Sequence, residues 1–247
     1  MNFSDFTAFV REVFNDDKGF IILHDPRFIG NERKYLLDAM DSNFVSSVGE
    51  YVGKFEQAIC EYTGSKYAIA AVNGTSALHI CLLLAGVKAD EEVITQPVSF
   101  IATCNAISYT GAKPVFVDVD RRTMGMSAEK LEDFLKENAR KGADGFTYNN
   151  KTGRRFAAVV PMHTFGHPCD LDGIVEVCER YNIALVEDSA ESIGSYYKGK
   201  HTGLFGKLSA LSFNGNKVIT TGGGGMILTQ DEELAKLAKH ITTTAKV

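Results

Sequence analysis

From Lys66 onward, two patterns of apolar and polar positions alternate regularly. Apolar runs of strand length cover residues 67–72, 91–95, 113–119, 156–162 and 183–188. Between them, apolar residues at helical spacing predict helices over Ser76–Ala85, Phe100–Thr110, Ala128–Arg140 and Leu171–Tyr181. Strands apolar on both faces, each followed by a helix, predict an α/β fold with a mostly parallel sheet covered by helices on both faces.

The first sixty residues follow a different pattern. Ser4 is placed to cap a short helix whose apolar positions are Phe6, Phe9, Val10 and Val13, ending near Asp17, Lys18 and Gly19. An extended piece, Phe20–Leu23, precedes Pro26, and two further helices are predicted over Glu32–Met40 and Val52–Tyr62. The turn-rich stretch Ser46–Glu50 between them reads as a loop at a functional surface. The polar stretch Lys141–Arg155 reads as an exposed loop before a buried strand.

Composition narrows the classes. The chain has 247 residues, a net charge of -5 and a pI near 5.7, with Lys and Arg scattered, which argues against a nucleic-acid surface. Five cysteines with no CxxC pair fit free thiols in a reducing compartment, with neither zinc nor disulfides expected. No apolar run is long enough to span a membrane, and the amphipathic, acidic amino terminus does not resemble a signal peptide, so a cytoplasmic location is expected.

Ligands of open α/β sheets bind at the carboxyl ends of the strands, so the residues there carry the chemistry. After 67–72 comes Asn73-Gly74-Thr75-Ser76, a glycine and two hydroxyls at a helix start, suited either to a phosphate or to simple capping. Asp188 closes another strand and could cap, bind a metal, or sit beside a protonated ring nitrogen. Lys217 lies between Leu211-Ser212-Phe213 and four consecutive glycines, 222–225; it is either an ordinary lysine beside a flexible loop or an imine-forming amine. Phe100 could stack on a flat ring or belong to the core. His163 and His167 flank Gly166 in a loop, which favours a polar pocket wall over a metal pair.

Together these blocks resemble the DegT/DnrJ/StrS family of pyridoxal phosphate-dependent sugar aminotransferases. The resemblance runs through VGEYVGKFE, NGTSALH, PVSFIATCNAISYTGAKPVFVDVD, PMHTFGHPCDLDGI, VEDSAESIGSYYKGKHTGLFG and LSFNGNKVITTGGGGMI, in the family's order. It implies a fold-type I large domain with a seven-stranded type of sheet over 31–247, and an amino-terminal segment, 1–30, on the small-domain side. Lys217 is then the lysine bonded to pyridoxal 5′-phosphate and Asp188 the partner of its ring nitrogen. Gly74, Thr75, Ser76 and Ser212 would hold the phosphate, while Phe100 and Ala190 would cover the two ring faces. Glu191 stands near the ring hydroxyl, where many members carry Gln or His, and GGGG replaces the commoner GEGG. A lysine at 217 argues against the dehydratase branch, which carries histidine there.

The resemblance further implies glutamate as donor, a nucleotide-linked keto sugar as acceptor, and a homodimer with shared active sites. The blocks look most like the branch associated with legionaminic-acid-type surface sugars, which aminates a UDP-linked 4-keto-6-deoxy-hexose. His163, Glu191 and Ser47 are the candidate substrate contacts. Family members continue past the last residue here into the rest of the small domain, so a largely missing carboxyl-terminal domain, low turnover and a final helix from Asp231 without its normal packing partner are expected. Two rivals are a non-catalytic cofactor or sugar-nucleotide binder, and a doubly wound nucleotide-binding protein. No GxGxxG or Walker sequence supports the latter.

Overall fold

A computed structural model describes residues 3–47, 49–243 and 245. Its elements begin with helices α1 (Ser4–Phe14), α2 (Glu32–Asp41) and α3 (Glu50–Thr63), followed by strand β1 (Tyr67–Ala71). Next come α4 (Gly74–Leu84), β2 (Glu92–Thr95), α5 (Ile101–Tyr109), β3 (Lys113–Phe116) and α6 (Ala128–Asn138). A hairpin of β4 (Ala139–Lys141) and β5 (Thr147–Asn149) leads to β6 (Phe156–Val160), α7 (Leu171–Tyr181) and β7 (Ala184–Asp188). The chain continues through the short pair β8 (Tyr196–Tyr197) and β9 (Lys200–His201) to β10 (Leu208–Ser212), β11 (Gly225–Thr229) and α8 (Glu232–Thr242).

Seven strands form one sheet in the order β1-β11-β10-β7-β6-β2-β3. β11 pairs antiparallel with both neighbours, and the pairs from β10 to β3 are all parallel. Buried residues alternate between the two faces, as the pleat requires. In β2, Val93 enters a core shared with α4 and α5, whereas Ile94 enters a second core with α6 and α7. A third cluster joins Ile59 of α3 to Phe213 and Met226.

Two expectations need correcting. Ser4 is the first helical residue, and the cap position belongs to Phe3 without a side-chain bond. Lys141–Arg155 is not a free loop: Asn149 and Thr152 donate side-chain hydrogen bonds, each 2.8 Å, to the two carboxylate oxygens of buried Glu92. The β4–β5 ladder, a bond from Asn182 Nδ2 to the Gly145 carbonyl and the buried Glu92 carboxylate together hold this polar stretch, and hydropathy registers none of them. In the last helix, α8, Ala235 and Ala238 are buried against α4 and Ile227, and Asp231 caps it by accepting from the N–H of Glu233 and Leu234.

The amino-terminal helices contrast with this body. Neither α1 nor α2 buries a side chain, and Phe6, Phe9 and Val13 are exposed along α1. No helix among the described residues is long and apolar enough to cross a membrane. All five cysteines are free thiols.

Candidate active site

The carboxyl ends of β7 and β10, the amino ends of α4 and α5, and the turn carrying Lys217 surround a cavity of about 310 Å³. Its walls include Gly74, Thr75 and Ser212 on one side, and Asp188, Ala190 and Glu191 on another. Phe100 and Lys217 complete it. Residues as far apart in sequence as 74 and 217 meet here because neighbouring strands deliver them to one sheet end.

At α4, Asn73 takes the cap position and its side chain accepts the Ser76 N–H at 2.7 Å. The N–H groups of Gly74 and Thr75, in the first helical turn, have no intrahelical partners. Gly74 is required by closeness: a Cβ there would lie 2.7 Å from the Cβ of Ser212. Gly225 has the same function opposite, since its Cβ would fall 2.4 Å from the Asn73 carbonyl oxygen. The resulting cup presents backbone N–H groups and hydroxyls at a helix start, the arrangement that binds phosphate. Ser76 stands outside the cavity wall, its N–H engaged by Asn73.

Lys217 is largely buried, and its Nζ lies 2.9 Å from Glu191 Oε1 and 5.7 Å from the Phe100 ring centroid. Phe100, at the cap position of α5, is 62% exposed. Its exposed surface borders the cavity. Asp188 is buried, with Oδ2 accepting from Thr103 Oγ1 at 2.6 Å and Oδ1 accepting from the Ala190 N–H at 3.2 Å. Burial raises the Asp188 pKa above the usual carboxylate range, an effect that the bonds from Thr103 and Ala190 and the charge of Lys217 oppose without reversing.

A basic amine, a buried carboxylate, an apolar ring and a phosphate cup thus face one space of cofactor size. These residues fit pyridoxal 5′-phosphate. A second cavity of about 330 Å³ lies on the other side of Lys217, lined by His24, Asp25, Arg27 and the turn 217–220.

The other candidates fare differently. His163 is fully buried and lines neither cavity: its Nε2 donates to Glu187 Oε2 at 3.1 Å, and its Nδ1 accepts the Cys169 N–H at 3.3 Å. It is an internal strut, not a pocket wall. Ser47 is exposed in the turn before α3 and lines neither cavity; its neighbour Val48 in that loop lies outside the described residues. Asn214, Asn216 and Met162 also line the cavity and were not among the expected site residues. The two asparagines had a signal in retrospect, as they flank the lysine turn.

The sequence profile of the DegT/DnrJ/EryC1/StrS aminotransferase family matches residues 27–246. The chain belongs to this family. It is 43% identical over 210 residues to the GDP-perosamine synthase of Caulobacter vibrioides, covering 85% of this chain and 52% of that protein. It is 41% identical to the GDP-perosamine synthase of Escherichia coli O157:H7, over 90% of this chain and 56% of that one. Among solved structures, an aminotransferase from Psychrobacter cryohalolentis superposes with a TM-score of 0.74 at 33% identity, covering 86% of this chain and 50% of that one. Helicobacter pylori PseC, an aminotransferase of pseudaminic acid biosynthesis, gives 0.76 at 26% identity, over 90% and 55% of the two chains. The chain therefore spans about half the length of the relatives it matches. The fold is that of fold-type I aminotransferases, and pyridoxal phosphate is the family's cofactor.

Proposed function

We propose that the protein is a pyridoxal 5′-phosphate-dependent aminotransferase that moves an amino group from glutamate to a nucleotide-linked 4-keto-6-deoxy sugar, working in the cytoplasm as a homodimer with shared active sites. The observation that carries this reading is the meeting of Lys217, Asp188, Phe100 and the Gly74-Thr75 turn in one cavity. When bound, the cofactor supplies an electron sink for the pair released as a C–H bond breaks. Gly74, Thr75 and Ser212 would hold its phosphate, and Asp188 would face its ring nitrogen and favour the proton there. Phe100 and Ala190 would cover the two ring faces. Lys217 is the amine placed to hold the cofactor's carbonyl carbon, and its Nζ would serve as the base that moves a proton at the donor carbon. Glu191, 2.9 Å away, keeps that nitrogen over the cavity.

The acceptor class rests on relatives and on sequence blocks. Two relatives are named GDP-perosamine synthases, and a further family structure, at 26% identity, is a GDP-4-keto-6-deoxymannose-3-dehydratase with GDP-perosamine bound. The amino-terminal block and the block around Glu191 favour instead the legionaminic-acid-type branch and a UDP-linked sugar, feeding surface polysaccharide or nonulosonic acid synthesis. Both share the 4-keto-6-deoxy sugar and differ in the nucleotide.

Borohydride reduction of the cofactor-loaded chain, followed by digestion, is expected to leave the pyridoxyl group on Lys217. Lys217→Ala should lose that adduct while keeping part of its cofactor binding, because the phosphate cup and Asp188 remain. A pyridoxyl group on Lys200 or Lys207 would overturn the assignment. Supplying glutamate with UDP-, GDP- and dTDP-linked 4-keto and 3-keto sugars, and measuring 2-oxoglutarate, decides the acceptor; preference for a 3-keto sugar removes the acceptor class and leaves the aminotransferase.

A further inference from the structure

Asp188 cannot orient itself. A carboxylate at the end of a strand rotates about its side-chain bonds unless each oxygen is held, and a ring nitrogen needs one oxygen at a fixed place. The Oδ2 atom is held from α5, a separate element: Thr103 Oγ1 lies 2.6 Å from it, and Thr103 is completely buried. An ionised carboxylate only accepts, so Thr103 donates, and a second hydroxyl stands behind it. Ser99 Oγ lies 3.0 Å from Thr103 Oγ1, the shortest of its three contacts, the others being the Phe100 carbonyl oxygen at 3.3 Å and Met162 Sδ at 3.6 Å; donating to Thr103, it occupies a threonine lone pair and leaves the threonine proton for Asp188. Ser99 precedes Phe100, whose ring borders the same cavity, so one helix start supplies both an aromatic wall and the hold on the carboxylate.

We infer that Thr103 is a positioning residue for cofactor binding: the Ser99–Thr103 hydroxyl pair fixes Asp188 Oδ2 in place for the ring nitrogen. This rests on the pyridoxal phosphate reading of the site and adds a residue to it. A hydroxyl donating to a charged oxygen is worth more than a neutral hydrogen bond, and its loss in a dry site leaves the charge less compensated. The other ionisable groups bearing on Asp188 are Lys217, His163 and the buried Cys81 thiol of α4.

The test compares wild type, Thr103→Val, Thr103→Ser and Ser99→Ala, each loaded with pyridoxal 5′-phosphate. Two quantities are read: the cofactor dissociation constant and the pH midpoint of the visible absorption band. Thr103→Val, which keeps the shape and deletes the donor, is expected to bind the cofactor about 10- to 100-fold more weakly, with its pH midpoint displaced. Thr103→Ser should restore both quantities to near the wild-type values. Ser99→Ala should shift them in the same direction as Thr103→Val by a smaller factor, and with Thr103→Ser it carries the test if the valine variant does not fold. Wild-type constants and midpoint in Thr103→Val, or equal losses in the serine variant, would overturn the inference while a lysine-linked band in wild type keeps the function. Absence of that band in wild type would instead overturn the function, and the inference with it.

Discussion

Glu187 and Asp188 are neighbours on β7, both buried, and their surroundings are opposite. The Glu187 carboxylate is saturated: Oε1 accepts the N–H groups of Phe205 and Gly206, both at 2.7 Å, and Oε2 accepts the Gly203 N–H at 2.8 Å together with His163. Burial pushes its pKa up, but His163 and those N–H groups prevail and hold it below the ordinary glutamate value. Asp188 has two donors, a raised pKa and an open cavity in front of it. Successive side chains on a strand point to opposite faces, so one residue step separates a carboxylate that locks a loop from one left short of partners. A buried charge short of partners is costly in a fold and useful in a site.

The largest expected effect falls on the saturated member. Glu187→Gln replaces an acceptor oxygen by an NH₂ group that must face an N–H donor, leaving buried donors unpaired. A loss of about 3–5 kcal/mol of stability is expected, as when one partner is removed from a buried charge network. Equilibrium urea unfolding of the cofactor-free chain measures it. A loss no larger than that of an exposed Glu→Gln change would mean that the loop 203–206 is held by something else.

Asp188→Asn should act in the other direction. An Asp whose folded pKa is raised contributes stability in full below its unfolded value of 3.8 and loses it as pH rises through the folded pKa. At neutral pH the ionised group therefore costs stability, and the asparagine variant should unfold at a higher temperature than wild type when cofactor is absent. The advantage should shrink as pH falls toward the unfolded carboxylate value. The same variant should bind pyridoxal phosphate more weakly, having lost the charge opposite the ring nitrogen. Melting curves from pH 4 to 8 with and without cofactor, conditions chosen to span both carboxylate states, separate the two effects. A variant that is less stable at neutral pH without cofactor would break the contrast with Glu187.

Much of this architecture was legible because it depends on local pattern. The apolar runs became β1, β2, β3, β6 and β7, the helix over Leu171–Tyr181 has the bounds expected, and Lys217, Asp188, Phe100 and Gly74 do share a cavity. What stayed hidden depends on partners distant in sequence. His163 follows a strand, as a pocket residue would, but its partner Glu187 is 24 positions away and inside the protein. Thr103 looks like any helical threonine until β7, 85 positions on, places a carboxylate against it. The β4–β5 hairpin reads as polar loop because Glu92 satisfies it from another strand.

The smallest effect should come from the cap of α4, which lies across the cavity from Asp188. Asn73 Oδ1 accepts the Ser76 N–H, so it stabilises the helix start while the Gly74 and Thr75 N–H groups keep no intrahelical acceptor. Asn73→Ala removes that acceptor, for which a loss of about 1 kcal/mol is expected. If the cap serves only the helix, cofactor affinity should change little. If it also holds the cup open for phosphate, affinity for pyridoxal phosphate should fall while affinity for pyridoxal, which lacks the phosphate, stays the same. Comparing the two ligands on Asn73→Ala and on Asp188→Asn therefore assigns each end of the cavity: the cap variant should discriminate between them, and the carboxylate variant should weaken both alike. An equal loss for both ligands in Asn73→Ala would remove the phosphate assignment from the α4 terminus and leave the Asp188 assignment standing.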